Sequence, residues 1–445
     1  MQVIRNIKYT LFGTANRTKI FRNVSWAVAG KIVNVLYGLI IGVLVARYLG
    51  PEQFGLMSYV TSYVTLFSII ATFGMDNIEV RELTKNPENR DVILGSSFSF
   101  RLILSFFAII LVLITLLIFE SDSFTIIMVM IYSSYLIAGS FNVIKNYFTS
   151  ILLNEYVVKT EIIRTFFGAG IKGVLLFQHC SLKWFIIANT IDFFLIAGGY
   201  VYSYRKKVDM LGKWKLNFSM IKFLANESFP LLLSGAAVVV YQRIDQVMIR
   251  NMIDNEALGQ FSVALRVADM IIFVPSVIAT TITPILVQEL NKGYDAYKRK
   301  RRQFVDLMIW SSIIMSLFIS VVANLMITLL FGIKYQEAVG VLQIMAWKTV
   351  GIALSSASGQ LIIIEGKQKF VVFRNVIGVI LCVAFNFILI PRFGIIGSAW
   401  TTLISVFFAG YIANYLIPPF REIFRLQTSS LLLGWRSGLK ILKSK

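Results

Sequence analysis

ARYLGPEQFGLMSYV, residues 46–60, is a short polar turn between two long apolar runs, one from Val24 to Val45 and one reaching Gly74. Such a turn between greasy segments is the mark of a helical hairpin that crosses a bilayer twice. A helix rises about 1.5 Å per residue, so about 20 residues cover a hydrocarbon core. Runs of that length recur along all 445 residues, of which 57% are hydrophobic and only 15% charged. Soluble domains carry about 25% charged residues, and the mean hydropathy here is +0.74. The chain reads as an all-α polytopic membrane protein.

Twelve spans are expected, at 24–46, 54–75, 92–118, 124–146, 156–178 and 184–204, then 226–249, 257–286, 304–331, 338–362, 371–390 and 395–417. They divide the chain into a cytoplasmic segment 1–23, a six-helix bundle 24–204, a linker 205–222, a second bundle 223–417 and a basic amphipathic tail 418–445. The basic N-terminal segment has no short apolar core with a cleavage site, so it reads as retained.

The formal charge of +20 invites a nucleic-acid reading, but its distribution argues against one. Basic residues resist translocation. With the N-terminus inside, 30 of the 43 Lys and Arg fall in cytoplasmic tails and loops, notably RKKVDMLGKWK (205–215) and KRKRR (298–302). Only Arg47, Lys183, Arg250, Lys334 and Arg392 fall outside. Both termini are therefore expected in the cytoplasm, and the basic skirt meets anionic lipid rather than nucleic acid.

The opening turn returns. RYLGPEQFGLMS (47–58) aligns with RNMIDNEALGQFS (250–262), matching Arg47 with Arg250, Glu52 with Glu256, Gly55 with Gly259 and Ser58 with Ser262. Pro51 suits a first helical position and Asp254 or Asn255 a cap. A weaker echo pairs LLNEYVVKTEIIR (152–164) with IIEGKQKFVVFRN (363–375). Because six spans is an even number, the two halves are parallel repeats, an arrangement that commonly holds a substrate near the midplane.

NVSWAVAGKIVNVLYGLIIGVLVARYLGPEQFGLMSYV, with Lys31 after Gly30 and the motif Arg47, Gly50, Pro51, Glu52 and Gly55, resembles the first two spans of the Wzx-type O-antigen and capsule repeat-unit flippases. These belong to the multidrug/oligosaccharidyl-lipid/polysaccharide (MOP) exporter superfamily. The resemblance implies a V-shaped pair of bundles around a central cavity. It also implies transport of undecaprenyl-diphosphate-linked oligosaccharide from the inner to the outer leaflet of a bacterial cytoplasmic membrane by alternating access. A polysaccharide polymerase and a chain-length regulator are the implied protein partners. The motif residues themselves read as structural.

Eight basic residues lie within the expected spans: Lys31, Arg101, Arg164, Lys172, Arg243, Arg266, Lys348 and Arg374. Facing lipid at full depth, they would together cost on the order of 20 kcal/mol. Arg243 and Arg374 lie near span ends, where they can snorkel. Arg164 has Glu161, and Arg266 has Asp269, three residues away on one helix face. Arg101 and Lys348 have no acid at i±3 or i±4 in their spans, so they read as cations in need of an anion. Lys31, Arg101, Arg266 and Lys348 are accordingly the candidates for lining a cavity that attracts a diphosphate. Asp192, without a local partner, and Asp269 are the candidates for binding a coupling proton or sodium ion, and no other cofactor is expected.

Three rival classes compete with this reading, and a passive structural membrane protein is disfavoured because buried charge costs stability without return. The lone histidine, His179, has no triad or metal partners in its neighbourhood, and no Asp-x-Asp occurs, so an enzyme such as a membrane polymerase is disfavoured. A multidrug exporter of the same architecture would favour an anionic or aromatic cavity, whereas the mid-membrane excess here is basic.

Overall fold

The computed structural model describes residues 14–367 and 371–434; the side chain of Lys31 and those of most residues before Tyr37 lie outside what is described. Among the described residues there are helices and short turns and no strand. Helix α1 (Thr14–Thr72) is broken at Gly50, and α2 (Asp76–Lys85) follows it. Next come α3 (Arg90–Phe119), α4 (Ser123–Ser133), α5 (Tyr135–Gly139), α6 (Asn142–Ser150), α7 (Asn154–Phe177) and α8 (Leu182–Lys207). The later part holds α9 (Phe218–Met252), α10 (Asn255–Ile271), α11 (Phe273–Lys292), α12 (Tyr294–Phe331), α13 (Ala338–Ala346), α14 (Lys348–Ile364), α15 (Val371–Phe407), α16 (Ala413–Leu416) and α17 (Arg421–Leu433).

Nine stretches among the described residues are long and apolar enough to cross a membrane. Two of them, Tyr37–Lys85 and Phe373–Leu416, each contain a pair of the expected spans joined at a kink, at Gly50 and Gly394 respectively. Helix α7, expected as the fifth span, is not among the nine; it carries Glu155, Lys159, Glu161, Arg164 and Lys172.

The chain divides into two compact units. One takes the described residues up to Val45 together with Tyr63–Gly235; the other takes Ala46–Ser62 together with the residues from Ala236 onward. In the first unit, Ile93, Leu94, Val143, Ile144 and Phe148 are buried with Tyr200 and Tyr204. The segment read as the linker is held on this unit. Trp214 packs edge-on to Phe98 and donates to the Tyr204 hydroxyl, and the Lys215 amide donates to the Asp91 carbonyl. The core of the second unit gathers Phe304, Met308, Leu354, Ala357 and Leu361 from α12 and α14. Phe420 and Ile423 join it from the C-terminal segment, so α17 docks on that bundle. Residues 435–445 of the basic tail lie outside the described residues.

Both copies of the opening turn lie in the second unit, and they pack on each other. A Cβ on Gly55 would collide with the Asn255 carbonyl, and one on Gly259 would collide with the Pro51 carbonyl. The repeated glycine is thus explained reciprocally: each copy lets the backbone of the other approach. Gly50 adopts φ 73° and ψ 173°, a region almost closed to residues with a Cβ. Pro51 then opens the next helical run, as its fixed φ allows. In the second copy Asp254 is the cap, its carboxylate accepting from the Ala257 amide at 2.8 Å.

Candidate functional site

The first unit neutralises its buried charges from within. Arg101 on α3 is 1% exposed, yet it is held by two carboxylates. Its Nε donates to Glu79 Oε1 at 2.7 Å and its Nη2 to Asp76 Oδ1 at 2.7 Å. Asn146 on α6 donates to the same two acids, at 2.6 Å to Glu79 and 3.0 Å to Asp76. The expectation that Arg101 lacks an acidic partner is therefore corrected. Its partners sit on α2, just beyond the second expected span, where a search confined to its own helix could not reach.

Asp192 on α8, read as unpartnered, is corrected in the same way. Lys172 on α7 donates to its Oδ2 at 2.6 Å, and the Tyr37 hydroxyl lies 3.0 Å from that ammonium. Gly168 makes the space, since a Cβ there would strike Asp192 Oδ1. The same logic applies to Gly199, whose missing Cβ leaves room for the Thr160 methyl. These are the close helix approaches that small residues permit. Glu161 accepts from the Tyr200 hydroxyl at 3.3 Å and lies 3.7 Å from Lys145 Nζ, and Arg164 stacks over the Tyr37 ring.

In the second unit Lys348, at the start of α14, is buried and donates to Asp269 of α10 at 2.9 Å. Its reading as an unpaired cation is corrected too, by an acid 79 residues away. Asp269 is the open member of this pair, its side chain 46% exposed against 8% for Lys348. Arg266, one turn earlier on α10, is half-buried with its guanidinium 5.2 Å from the centre of the Phe54 ring. Arg266 and Lys348 thus converge on one helix, whereas Arg101 belongs to the other unit. Lys31 lies in α1 with its side chain outside the described residues. Of the motif residues, Arg47 and Glu52 are exposed and Gly55 is buried.

Asp245 lies in the expected span 226–249 and has no acid or base assigned to it by local spacing. It is 4% exposed on α9 and makes no ion pair among the described residues. Instead the Thr402 hydroxyl donates to its Oδ2 at 2.5 Å. The Asn386 amide reaches Oδ1 at 2.6 Å, and the Cys382 thiol reaches the same atom at 3.1 Å. Asn386 Oδ1 is itself buried without a partner. No local spacing announces this site, because its parts come from three helical passes. Cys382 and Asn386 stand four residues apart on one helix face, and Asp245 and Thr402 come to them from other passes. Among the described residues no group of acids, histidines and cysteines has the makings of a metal cluster.

Comparison with known proteins defines the class first. The fold matches an inward-facing multidrug MATE transporter of the MOP superfamily, with a TM-score of 0.67 at 16% identity over 89% of this chain and 96% of that one. It also matches the lipid II flippase MurJ in an inward closed conformation, with a TM-score of 0.66 at 13% identity over 94% and 93% of the two chains. The protein is a multi-pass membrane protein with the MOP transporter fold.

Residues 20–290 match the model of the family described as polysaccharide biosynthesis protein, and the chain belongs to that family. A second model, MatE, matches 230–388. Among curated proteins, an uncharacterized membrane protein of Methanocaldococcus jannaschii is 23% identical over 88% of this chain and 82% of its own length. The capsular polysaccharide biosynthesis protein CapF of Staphylococcus aureus is 25% identical over 52% of this chain and 58% of its own. The resemblance carried by the first two spans is borne out by the match to the polysaccharide biosynthesis family and by the shared transporter fold.

Proposed function

We propose that the protein moves undecaprenyl-diphosphate-linked oligosaccharide repeat units, for O-antigen, capsule or exopolysaccharide, from the cytoplasmic to the outer leaflet by alternating access. The observation that carries this reading is the match of residues 20–290 to a polysaccharide biosynthesis family, on a fold used by transporters. In this reading the protein sits in a bacterial cytoplasmic membrane with both termini inside, as the distribution of Lys and Arg suggests.

Arg266 and Lys348 are the proposed contacts for the diphosphate, and Lys31 is a separate candidate that rests on the sequence alone. Arg offers a bidentate fork and Lys a point charge. Lys348 would exchange its half-exposed partner Asp269 for the substrate anion. Arg101, already paired with Glu79 and Asp76, fits a locking role better than a substrate contact. For ion coupling, Asp245 suits a proton or sodium ion better than Asp192 or Asp269. Each of those already faces an ammonium, whereas Asp245 offers a carboxylate beside the oxygens of Asn386 and Thr402.

The test is surface display of the polysaccharide with Lys31, Arg266 and Lys348 each replaced by Ala. Display should fall at least several-fold in the Arg266 and Lys348 variants while protein levels hold. Normal display in all three would reject the assignment. The MatE match favours a second reading, export of a small molecule; drug efflux from intact cells, with unchanged polysaccharide display on deletion, would support it instead.

A further inference from the structure

Arg374 on α15 is 5% exposed, so it is a buried guanidinium and does not snorkel from a span end. It differs from Arg101 in what surrounds it. Its Nη1 donates to the Ser358 hydroxyl on α14 at 2.8 Å, and that is its one hydrogen bond among the described residues. Its Nε is buried with no acceptor, and no carboxylate among the described residues stands within ion-pair distance. A guanidinium does not escape this by losing its proton, which it keeps in proteins. A buried cation without a counter-charge is among the most costly groups a protein can hold. An anion would relieve it.

Space for one is present. Arg374 borders a cavity of about 250 Å³ in the second unit, shared with Tyr241, Ser355, Ser356, Asn375 and Ser405. At ~30 Å³ per water this is room for about eight water molecules, enough for a hydrated phosphate or carboxylate group and far too little for an oligosaccharide. The edge of the guanidinium formed by Nε and Nη2 is the one that grips two oxygens at once, and it is the edge that Ser358 leaves unused. Serine hydroxyls from α14 and from the end of α15 supply neutral donors around it. Arg374 is the one charged side chain among the residues that line the cavity. A singly charged guest fits that balance better than a dianion.

We propose that Arg374 and this cavity form a binding site for a singly charged oxyanion, a phosphate or a carboxylate group, inside the C-terminal unit. The site does not depend on the flippase reading, and its loss would leave that reading standing. The anion is either a free ion or the phosphodiester head group of a lipid.

The experiment uses the full chain in neutral phosphatidylcholine nanodiscs, with equilibrium dialysis of radiolabelled inorganic phosphate and, separately, acetate. Wild type should bind one of the two saturably. Affinity should drop at least tenfold in Arg374→Gln and in Ser356→Leu, which keeps the cation and fills the cavity. Arg374→Lys should retain part of it. Phosphatidylglycerol in the disc should compete if the head group is the natural guest, and should leave binding unchanged if a free ion is. Should Arg374→Gln fail to fold, Ser356→Leu decides. Absence of saturable binding to wild type, or equal binding by wild type and the folded variants, would overturn the site.

Discussion

Arg101 and Arg374 are both buried guanidinium groups in membrane-spanning helices, but they are treated in opposite ways. Arg101 meets two carboxylates, which the Asn146 amide bridges in turn. Arg374 meets a single serine. The buried acids repeat the contrast: Asp192 in the first unit has Lys172 at 2.6 Å, while Asp245 in the second has a hydroxyl, an amide and a thiol. Charges that are matched inside their own unit hold helices together. Charges such as Arg374 and Asp245, without an ion pair among the described residues, are available to ligands. The first unit therefore reads as the braced half and the second as the half equipped to bind ions.

The sharpest way to break this contrast is to remove one cation from each unit. Arg101→Gln leaves Glu79, fully buried, without its partner, a change expected to cost about 3–5 kcal/mol. It should lower the thermal midpoint of the purified protein strongly, and adding Glu79→Gln should recover much of the loss. Arg374→Gln removes a charge that nothing balances, so its midpoint should stay near wild type. Equal losses in the two variants would erase the distinction.

A somewhat smaller effect is expected from the glycines that let charged or backbone groups close in. Gly50→Ala forces a Cβ into a glycine-only conformation, a strain of about 1–3 kcal/mol. Gly168→Ala pushes on the Asp192 carboxylate and should loosen the Lys172 pair, giving a lower midpoint that Asp192→Asn does not lower further. For the second unit, Asp245→Asn keeps the shape and most of the hydrogen bonds. Stability should change little, while the response of transport to sodium or proton gradients disappears. An unaltered gradient response would remove Asp245 from the coupling role.

The smallest effect lies at the edge of the second bundle, where α17 is tethered. Arg301 donates to both Glu365 and Glu422, and its hydrogen bond holds the Glu422 carboxyl below its usual 4.5. A carboxyl whose pKa is depressed on folding stabilises at pH above its unfolded value, and that contribution fades as pH falls through the folded one. Docking of α17 should therefore weaken slightly below about pH 4.5. Glu422→Gln should flatten that change, as read by hydrogen exchange of the α17 amides.

Much of this molecule is legible in the linear chain, and the reason is physical. Apolar runs long enough to span a bilayer identify themselves, and the turn at 46–60 shows its function through residue types, a glycine for the break and a proline for the restart. The repeat at 250–262 was visible as a pattern, but its meaning was not: nothing in an alignment says that Gly55 and Gly259 face the backbone of the opposite copy. The buried charges were legible only as a count. Local spacing finds partners one turn away, whereas Arg101, Lys172 and Lys348 each take an acid from another helix. Arg374, placed near a span end, invited the reading of a snorkelling side chain, and only packing shows it enclosed.

The most direct measurement of the central claim is leaflet-specific labelling of lipid-linked oligosaccharide in cells lacking the gene. The account predicts that repeat units accumulate on the cytoplasmic face and that the wild-type gene, but not Lys348→Ala, restores them to the outer one. Repeat units that reach the outer leaflet in normal amounts without the protein, and remain there unpolymerised, would contradict it.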